Sequence, residues 1–96
     1  MTSLDQIAEK IIEEQELVIG PLAWTEAGKV RGLQVNHARH EAVLTNGDRD
    51  PKETVNKLVG QYERLFGRAS HEVCREAVAS MLANLQPSEI PSSLRA

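Results

Sequence analysis

Apolar side chains near the start of the chain recur at helical spacing and predict a first helix over residues 4–19. Ser3 is a good N-cap, and Gln6 stands three residues further on, as in a capping box. Gly20 and Pro21 end the helix, because proline cannot continue its hydrogen-bond ladder. The predicted core face consists of Leu4, Ile7, Ala8, Ile11, Ile12, Val18 and Ile19. The opposite side carries an acidic stripe of Asp5, Glu9, Glu13 and Glu16.

Two positions interrupt the pattern of this helix. Gln15 projects into the apolar face, where a buried amide can fix the register or the partner number of packed helices. Leu17 points away from that face. Pro21 is well placed to start a second short helix over about residues 21–30, in which Trp24 is the only large side chain. We therefore expect a contact surface made of Gln15, Leu17, Pro21 and Trp24.

The periodicity changes between residues 32 and 46. The segments GLQVN and EAVLT are short and contain β-branched residues, and HARH lies between them. This pattern predicts a β-hairpin. Two strands alone are marginally stable in water, and their free edges invite pairing with another chain.

Two further helices follow a turn predicted at Asn46-Gly47. Asp50 and Pro51 provide the N-cap and the first residue of helix 3, which ends at Gly67. Its predicted core face contains Val55, Leu58, Val59, Tyr62, Leu65 and Phe66. Ser70 is the expected cap of helix 4, over about residues 71–85. The inner face of helix 4 contains Cys74, Ala77, Val78, Met81, Leu82 and Leu85.

The element order therefore predicts a mostly helical α+β fold, α-α-β-β-α-α, with a short β-hairpin between two helical pairs. Residues 1–86 are expected to form a single compact α+β domain. The segment 87–96 contains two prolines and three serines, and we expect it to be an extended or disordered tail.

Composition narrows the possible functions of this 96-residue chain. Its formal net charge of −3, together with an acidic and featureless outer face on helix 4, argues against nucleic-acid binding. A single cysteine forms no internal disulfide, and no apolar run is long enough to span a membrane. The first residues lack the pattern of a secretory signal, so the expected location is the cytoplasm. Aromatic residues are scarce, and a dimer would deepen the thin aliphatic core.

Histidine and cysteine form two pairs, each with a spacing of three residues. His37 and His40 lie in the predicted hairpin loop, whereas His71 and Cys74 lie on helix 4. Such pairs resemble the ligand spacing of structural zinc sites. Against this hypothesis, Cys74 lies at the centre of an apolar face, where cysteine behaves as a small hydrophobic residue. Basic side chains at Arg39 and Arg75 would also lie near the cation.

Catalysis has little support in the sequence. His71 and Cys74 could form a Cys–His pair, but a catalytic cysteine must be accessible and held as a thiolate, and Cys74 is predicted to be buried. There is no glycine-rich phosphate loop and no nucleophile elbow. We expect a non-catalytic cytoplasmic interaction or regulatory module without a cofactor, which forms a homodimer or docks a protein partner. The alternative is a small zinc protein that uses His37, His40, His71 and Cys74.

Overall fold

The structure, a computed structural model, describes residues 3–45 and 50–95. Its helices and strands follow in the order α1 Leu4–Ile19, α2 Leu22–Ala27, β1 Leu33–Asn36, β2 Glu41–Leu44, α3 Pro51–Phe66 and α4 Arg68–Leu82. Two 3-10 turns, Pro87–Glu89 and Ser92–Leu94, come after α4. This order confirms the predicted mostly helical α+β fold. Within the described ranges, no helix combines the length and the apolar character that crossing a bilayer requires.

The ends of α1 and α3 are set by the local signals that the sequence carries. At the start of α1, the Ser3 hydroxyl accepts a hydrogen bond from the backbone N–H of Gln6 at 3.2 Å, and the Ser3 N–H donates to Gln6 Oε1 at 2.9 Å. The capping box and the bounds of α1 are therefore confirmed. At the start of α3, the Asp50 carboxylate accepts from the Lys52 N–H at 3.0 Å, and Pro51 is the first helical residue, as predicted.

The start of α4 differs from the prediction. Helix α4 begins at Arg68, and Ser70 is not its cap but a buried residue of its first turn. The reason is Gly67, whose φ of +90° lets the chain turn between α3 and α4 at a single residue. Helix α2 is also shorter than expected and ends at Ala27. The predicted Asn46-Gly47 turn lies outside the described residues.

The core lies where α1 packs against α4, α3 and α2, and where β2 covers its remaining side. Its large, fully buried apolar side chains include Trp24, Tyr62, Ile7, Ile11, Ile12, Leu58 and Val78. The Tyr62 hydroxyl donates to the Ala23 carbonyl at 2.6 Å, and burial raises the pKa of this phenol. Val18 and Leu65 were expected on core faces but are exposed. Both lie near the ends of helices whose apolar faces extend beyond the elements that cover them.

The hairpin is antiparallel, with Leu33 opposite Leu44 and Asn36 opposite Glu41. The outer edge of β2 is not free, because carboxylates from α1 accept hydrogen bonds from its backbone. Asp5 Oδ1 accepts from the Leu44 N–H at 2.9 Å, and Glu9 Oε2 accepts from the Ala42 N–H at 3.0 Å. The expectation of two free edges is therefore wrong for β2.

The segment that follows α4 folds back onto the helices, whereas the sequence suggested an extended or disordered tail. Leu94 and Pro91 are buried, and the second 3-10 turn packs on α3 and α4. The backbone N–H and the hydroxyl of Ser93 both donate to Asn56 Oδ1, at 3.0 and 2.6 Å. These hydrogen bonds, together with the buried Leu94, explain why the segment does not project into solvent.

Candidate functional site

The corner between α1 and α2 carries an exposed apolar surface, which we call the apolar corner. It consists of Leu17, Val18, Pro21 and Leu22. The exposed fraction is 80% for Leu17, 62% for Val18 and 43% for Leu22. The corner has a defined shape, because the Ala23 N–H donates to the Gly20 carbonyl and the Trp24 N–H donates to the Pro21 carbonyl, both at 3.0 Å.

The apolar corner forms because the apolar face of α1 extends beyond the elements that pack on it. Ile11, Ile12 and Gln15 are fully buried, whereas Ile19 is only partly buried. Leu17 lies off the buried face, in agreement with its helical position. The chain therefore leaves several large apolar side chains in water at one end of α1, which is unfavourable unless another surface covers them.

Gln15 and Trp24, which the sequence placed on the contact surface, lie in the core of the chain itself. The Gln15 amide Nε2 donates to the Ser70 carbonyl at 2.8 Å and to Cys74 Sγ at 3.3 Å. Gln15 therefore joins α1 to α4, and it does not face a partner. Of the predicted contact residues, Leu17 and Pro21 are at the surface.

Sequence reasoning missed Val18 and Leu22 as members of the apolar corner. Val18 has the helical phase of a core residue, so its exposure depends on where the neighbouring elements end and not on its own position. Leu22 could have been found, because it directly follows the Gly20-Pro21 turn between two helices.

The structure does not form the Cys–His pair that catalysis by Cys74 would need. Burial raises the pKa of the Cys74 thiol to about 11, so the side chain is a thiol at neutral pH. The His71 ring is engaged elsewhere, with Nδ1 3.3 Å from Glu63 Oε2 and Nε2 2.6 Å from the Ser93 carbonyl. Among the described residues, Cys74 therefore has neither the exposure nor the neighbouring base that a nucleophile needs.

The four sequence-predicted metal ligands fall into two separate places. His37 and His40 lie together at the hairpin loop, and Glu16 of α1 joins them: one ligand atom from each of the three lies within 4.8 Å of the others. Within residues 3–45 and 50–95, no group of three or more such side chains includes His71 or Cys74. Among the described residues, His37 and His40 are therefore grouped with Glu16 and not with His71 or Cys74. Glu16 could not be found from local spacing, because it belongs to α1, which is separated from the hairpin loop by α2 and β1.

Both imidazoles also lie against the only tryptophan of the chain. The His40 ring stacks on Trp24 with centroids 5.0 Å apart and an interplanar angle of 14°. The His37 ring does so at 6.0 Å and 13°. The two histidine rings thus cover the buried indole of Trp24 and lie next to Glu16.

A shallow depression on the surface carries basic side chains of the kind that bind anions. It is lined by Lys29, Arg31, Lys57 and Arg64, among others. Glu26 lies beside it and accepts from Lys29 Nζ at 2.9 Å and from Gln61 Nε2 at 2.8 Å. These hydrogen bonds lower the pKa of Glu26, so its negative charge persists and offsets part of the basic field.

Comparisons of the chain with protein-family models, with curated proteins and with solved structures found no match. Two surfaces of the molecule have a geometry that bears on its function. One is the apolar corner, and the other is the cluster of Glu16, His37 and His40.

Proposed function

We propose that the chain is a non-catalytic interaction or regulatory module that self-associates through the apolar corner. The observation that carries this proposal is the exposure of Leu17 and Val18, at 80% and 62%, next to the exposed Leu22. Adjacent exposed apolar side chains of this size are typical of protein contact sites. Covering them would extend the apolar face of α1 into an interface.

A second copy of the chain is the occupant that fits this surface best. A twofold contact would place the same apolar corner against itself, so that Leu17 and Leu22 meet apolar side chains and not charges. The corner comprises only four side chains, whereas stable interfaces bury about 1,200–2,000 Å² in total. We therefore propose a weak dimer that dissociates on dilution.

The charge around the corner predicts how salt affects this dimer. Glu13, Glu14 and Glu16 precede the corner on α1, and the chain has a formal net charge of −3. Two copies that meet there bring like charges together, which salt screens. Self-association should therefore strengthen as the ionic strength rises, as expected for an apolar contact with an acidic rim.

Pairing of strands is a less favourable route to a dimer. The Ala42 and Leu44 N–H groups on the outer edge of β2 already donate to Glu9 and Asp5. Addition of a foreign strand at this edge would have to displace two carboxylates. This observation favours the helical corner over the β2 edge.

The experiment compares two matched variants by light scattering across a range of protein concentrations. Leu17→Glu places a charge in the apolar corner, and we expect it to leave a monomer at concentrations where the original chain is dimeric. Val43→Glu is the control, because Val43 is also exposed, at 49%, but lies on β2 near the other end of α1. This variant should dimerise like the original chain.

Two results would count against the proposal. One is a monomeric mass for the original chain at every concentration and salt level. The other is a dimer that Leu17→Glu leaves intact, because the contact surface would then lie elsewhere. Circular dichroism of both variants checks that each one keeps the helical content of the original chain.

A further inference from the structure

Three side chains with metal-binding chemistry converge beside the apolar corner without forming part of it. One carboxylate oxygen of Glu16 and one ring nitrogen each of His37 and His40 lie within 4.8 Å of one another. A tetrahedral zinc ion with bonds of about 2.0–2.1 Å needs its ligand atoms about 3.3–3.4 Å apart. Rotations of the exposed His37 and His40 side chains and of the half-buried Glu16 would bring the ligand atoms to this distance.

The fold holds the two histidines on one side of the hairpin loop. The His40 N–H donates to the His37 carbonyl at 3.2 Å, and the Arg39 N–H donates to Asn36 Oδ1 at 3.2 Å. His40 has a φ of +52°, a left-handed conformation that non-glycine residues adopt at some cost in energy. The turn thereby directs both imidazoles onto Trp24 and towards the C-terminal half of α1.

The charges around the cluster are compatible with a cation. Arg39 belongs to the same loop, but its guanidinium Nε lies 3.5 Å from Glu41 Oε1, so an acidic partner offsets its charge. Glu16 itself supplies negative charge within the cluster. Arg75, the other arginine that the sequence placed near a metal, pairs with Glu72 on α4 at 2.8 Å.

We infer that Glu16, His37 and His40 form a binding site for a divalent transition-metal ion, with Zn²⁺ as the best match. Two imidazole nitrogens and one carboxylate oxygen suit zinc and similar borderline cations better than Mg²⁺ or Ca²⁺, which prefer oxygen ligands. Three protein ligands leave one position of a tetrahedral ion for water or an external ligand. The site goes beyond the proposed self-association and does not depend on it.

The test is calorimetric titration of chelator-treated protein with ZnCl₂, supported by quenching of Trp24 fluorescence by Co²⁺. One ion should bind per chain, and the single tryptophan should report it because its ring stacks on both ligands. His37→Gln, His40→Asn and Glu16→Gln should each weaken binding by about tenfold or more. Asparagine is chosen at position 40 because it tolerates a positive φ.

Two control variants remove the other side chains that the sequence suggested as ligands. His71→Gln and Cys74→Ala should bind zinc as the original chain does, and circular dichroism verifies that all five variants remain folded. The titration is repeated in a Leu17→Glu background, where one ion per chain is again expected. This repetition separates a failure of the metal site from a failure of self-association.

The inference is overturned if no binding occurs up to millimolar zinc. It is also overturned if the three ligand variants bind as well as the original chain, or if His71→Gln or Cys74→Ala abolishes binding. Unchanged affinity in Glu16→Gln alone would exclude the carboxylate and reduce the site to two histidines. One ion per two chains would show a metal bridge in place of the site within one chain.

Discussion

Gln15 and Cys74 form a buried polar contact between α1 and α4. The amide of Gln15 donates to Cys74 Sγ and to the Ser70 carbonyl, whereas its Oε1 has no hydrogen-bond partner among the described residues. An unpartnered buried oxygen costs about 1–3 kcal/mol, so this contact contributes less to stability than its two bonds suggest. The hydrogen bond from Gln15 lowers the pKa of the Cys74 thiol, but the larger effect of burial raises it.

We predict that Cys74 reacts slowly with a thiol reagent in the folded protein. Its pKa of about 11, raised chiefly by burial, compares with about 8.5 for a free cysteine. Native labelling at neutral pH should be at least about a hundredfold slower than labelling in urea, because both the thiolate fraction and the access are reduced. Gln15→Ala should speed it, because we expect the access gained beside the thiol to outweigh the loss of the hydrogen bond that lowers its pKa. Gln34→Ala, at an exposed position, should leave the rate unchanged. Equal rates in the folded and unfolded states would show that Cys74 is exposed.

Glu26 should make the stability of the protein depend on pH in the acidic range. Hydrogen bonds from Lys29 and Gln61 lower its pKa in the folded state below the ordinary value. Stability from this carboxylate is therefore complete above the ordinary pKa and is lost as the pH falls through the lower folded pKa. In urea unfolding, the difference between the original chain and Glu26→Gln should shrink below about pH 4.3.

The matched control for Glu26 is Glu13→Gln, which changes an exposed carboxylate on α1. Its effect on the free energy of unfolding should be small, because the side chain is exposed. A constant difference for Glu26→Gln would mean that its hydrogen bonds do not favour the charged form.

At the scale of elements, α1 organises the molecule through two faces. Its apolar face packs against α4 and α3, while Asp5 and Glu9 on its acidic side accept from the backbone of β2. Further along the same helix, Glu16 approaches His37 and His40. The hairpin therefore packs on the acidic stripe of α1. These hydrogen bonds stabilise a two-stranded sheet, which is marginally stable by itself.

We predict that Glu9→Ala lowers the free energy of unfolding by about 1 kcal/mol, because it leaves the Ala42 N–H without its charged acceptor. Hydrogen exchange should quicken at Ala42 and change little at Leu44, whose acceptor is Asp5. Glu9→Gln keeps an acceptor oxygen and should have a smaller effect. Unchanged exchange at Ala42 in the alanine variant would show that the carboxylate does not hold this edge.

The starts of α1 and α3 could be predicted from the sequence, because their capping residues lie within a few positions of each helix start. Ser3 with Gln6, and Asp50 with Pro51, set the starts of α1 and α3 through side-chain hydrogen bonds within a few residues. The sites were harder to predict because they depend on distant packing. Glu16 meets the histidines only when the hairpin folds along α1, and the exposure of Val18 depends on where other elements end.

At the scale of the whole molecule, the described residues span 32 × 28 × 22 Å, and both candidate surfaces share the C-terminal half of α1. Leu17 of the apolar corner directly follows Glu16 of the candidate metal site. The remaining length of α1 is occupied by its own hairpin and helices. The proposed self-association surface and the proposed metal site therefore lie side by side at this end of α1.

Self-association through the apolar corner is tested most directly by a dilution series of ¹H–¹⁵N correlation spectra on the original chain. We expect the amide signals of Leu17, Val18 and Leu22 to shift as the concentration falls from millimolar to micromolar, and those of Val43 and its neighbours in β2 to stay fixed. Spectra that do not change on dilution would contradict self-association. Shifts centred on the hairpin would contradict the apolar corner as the surface that mediates it.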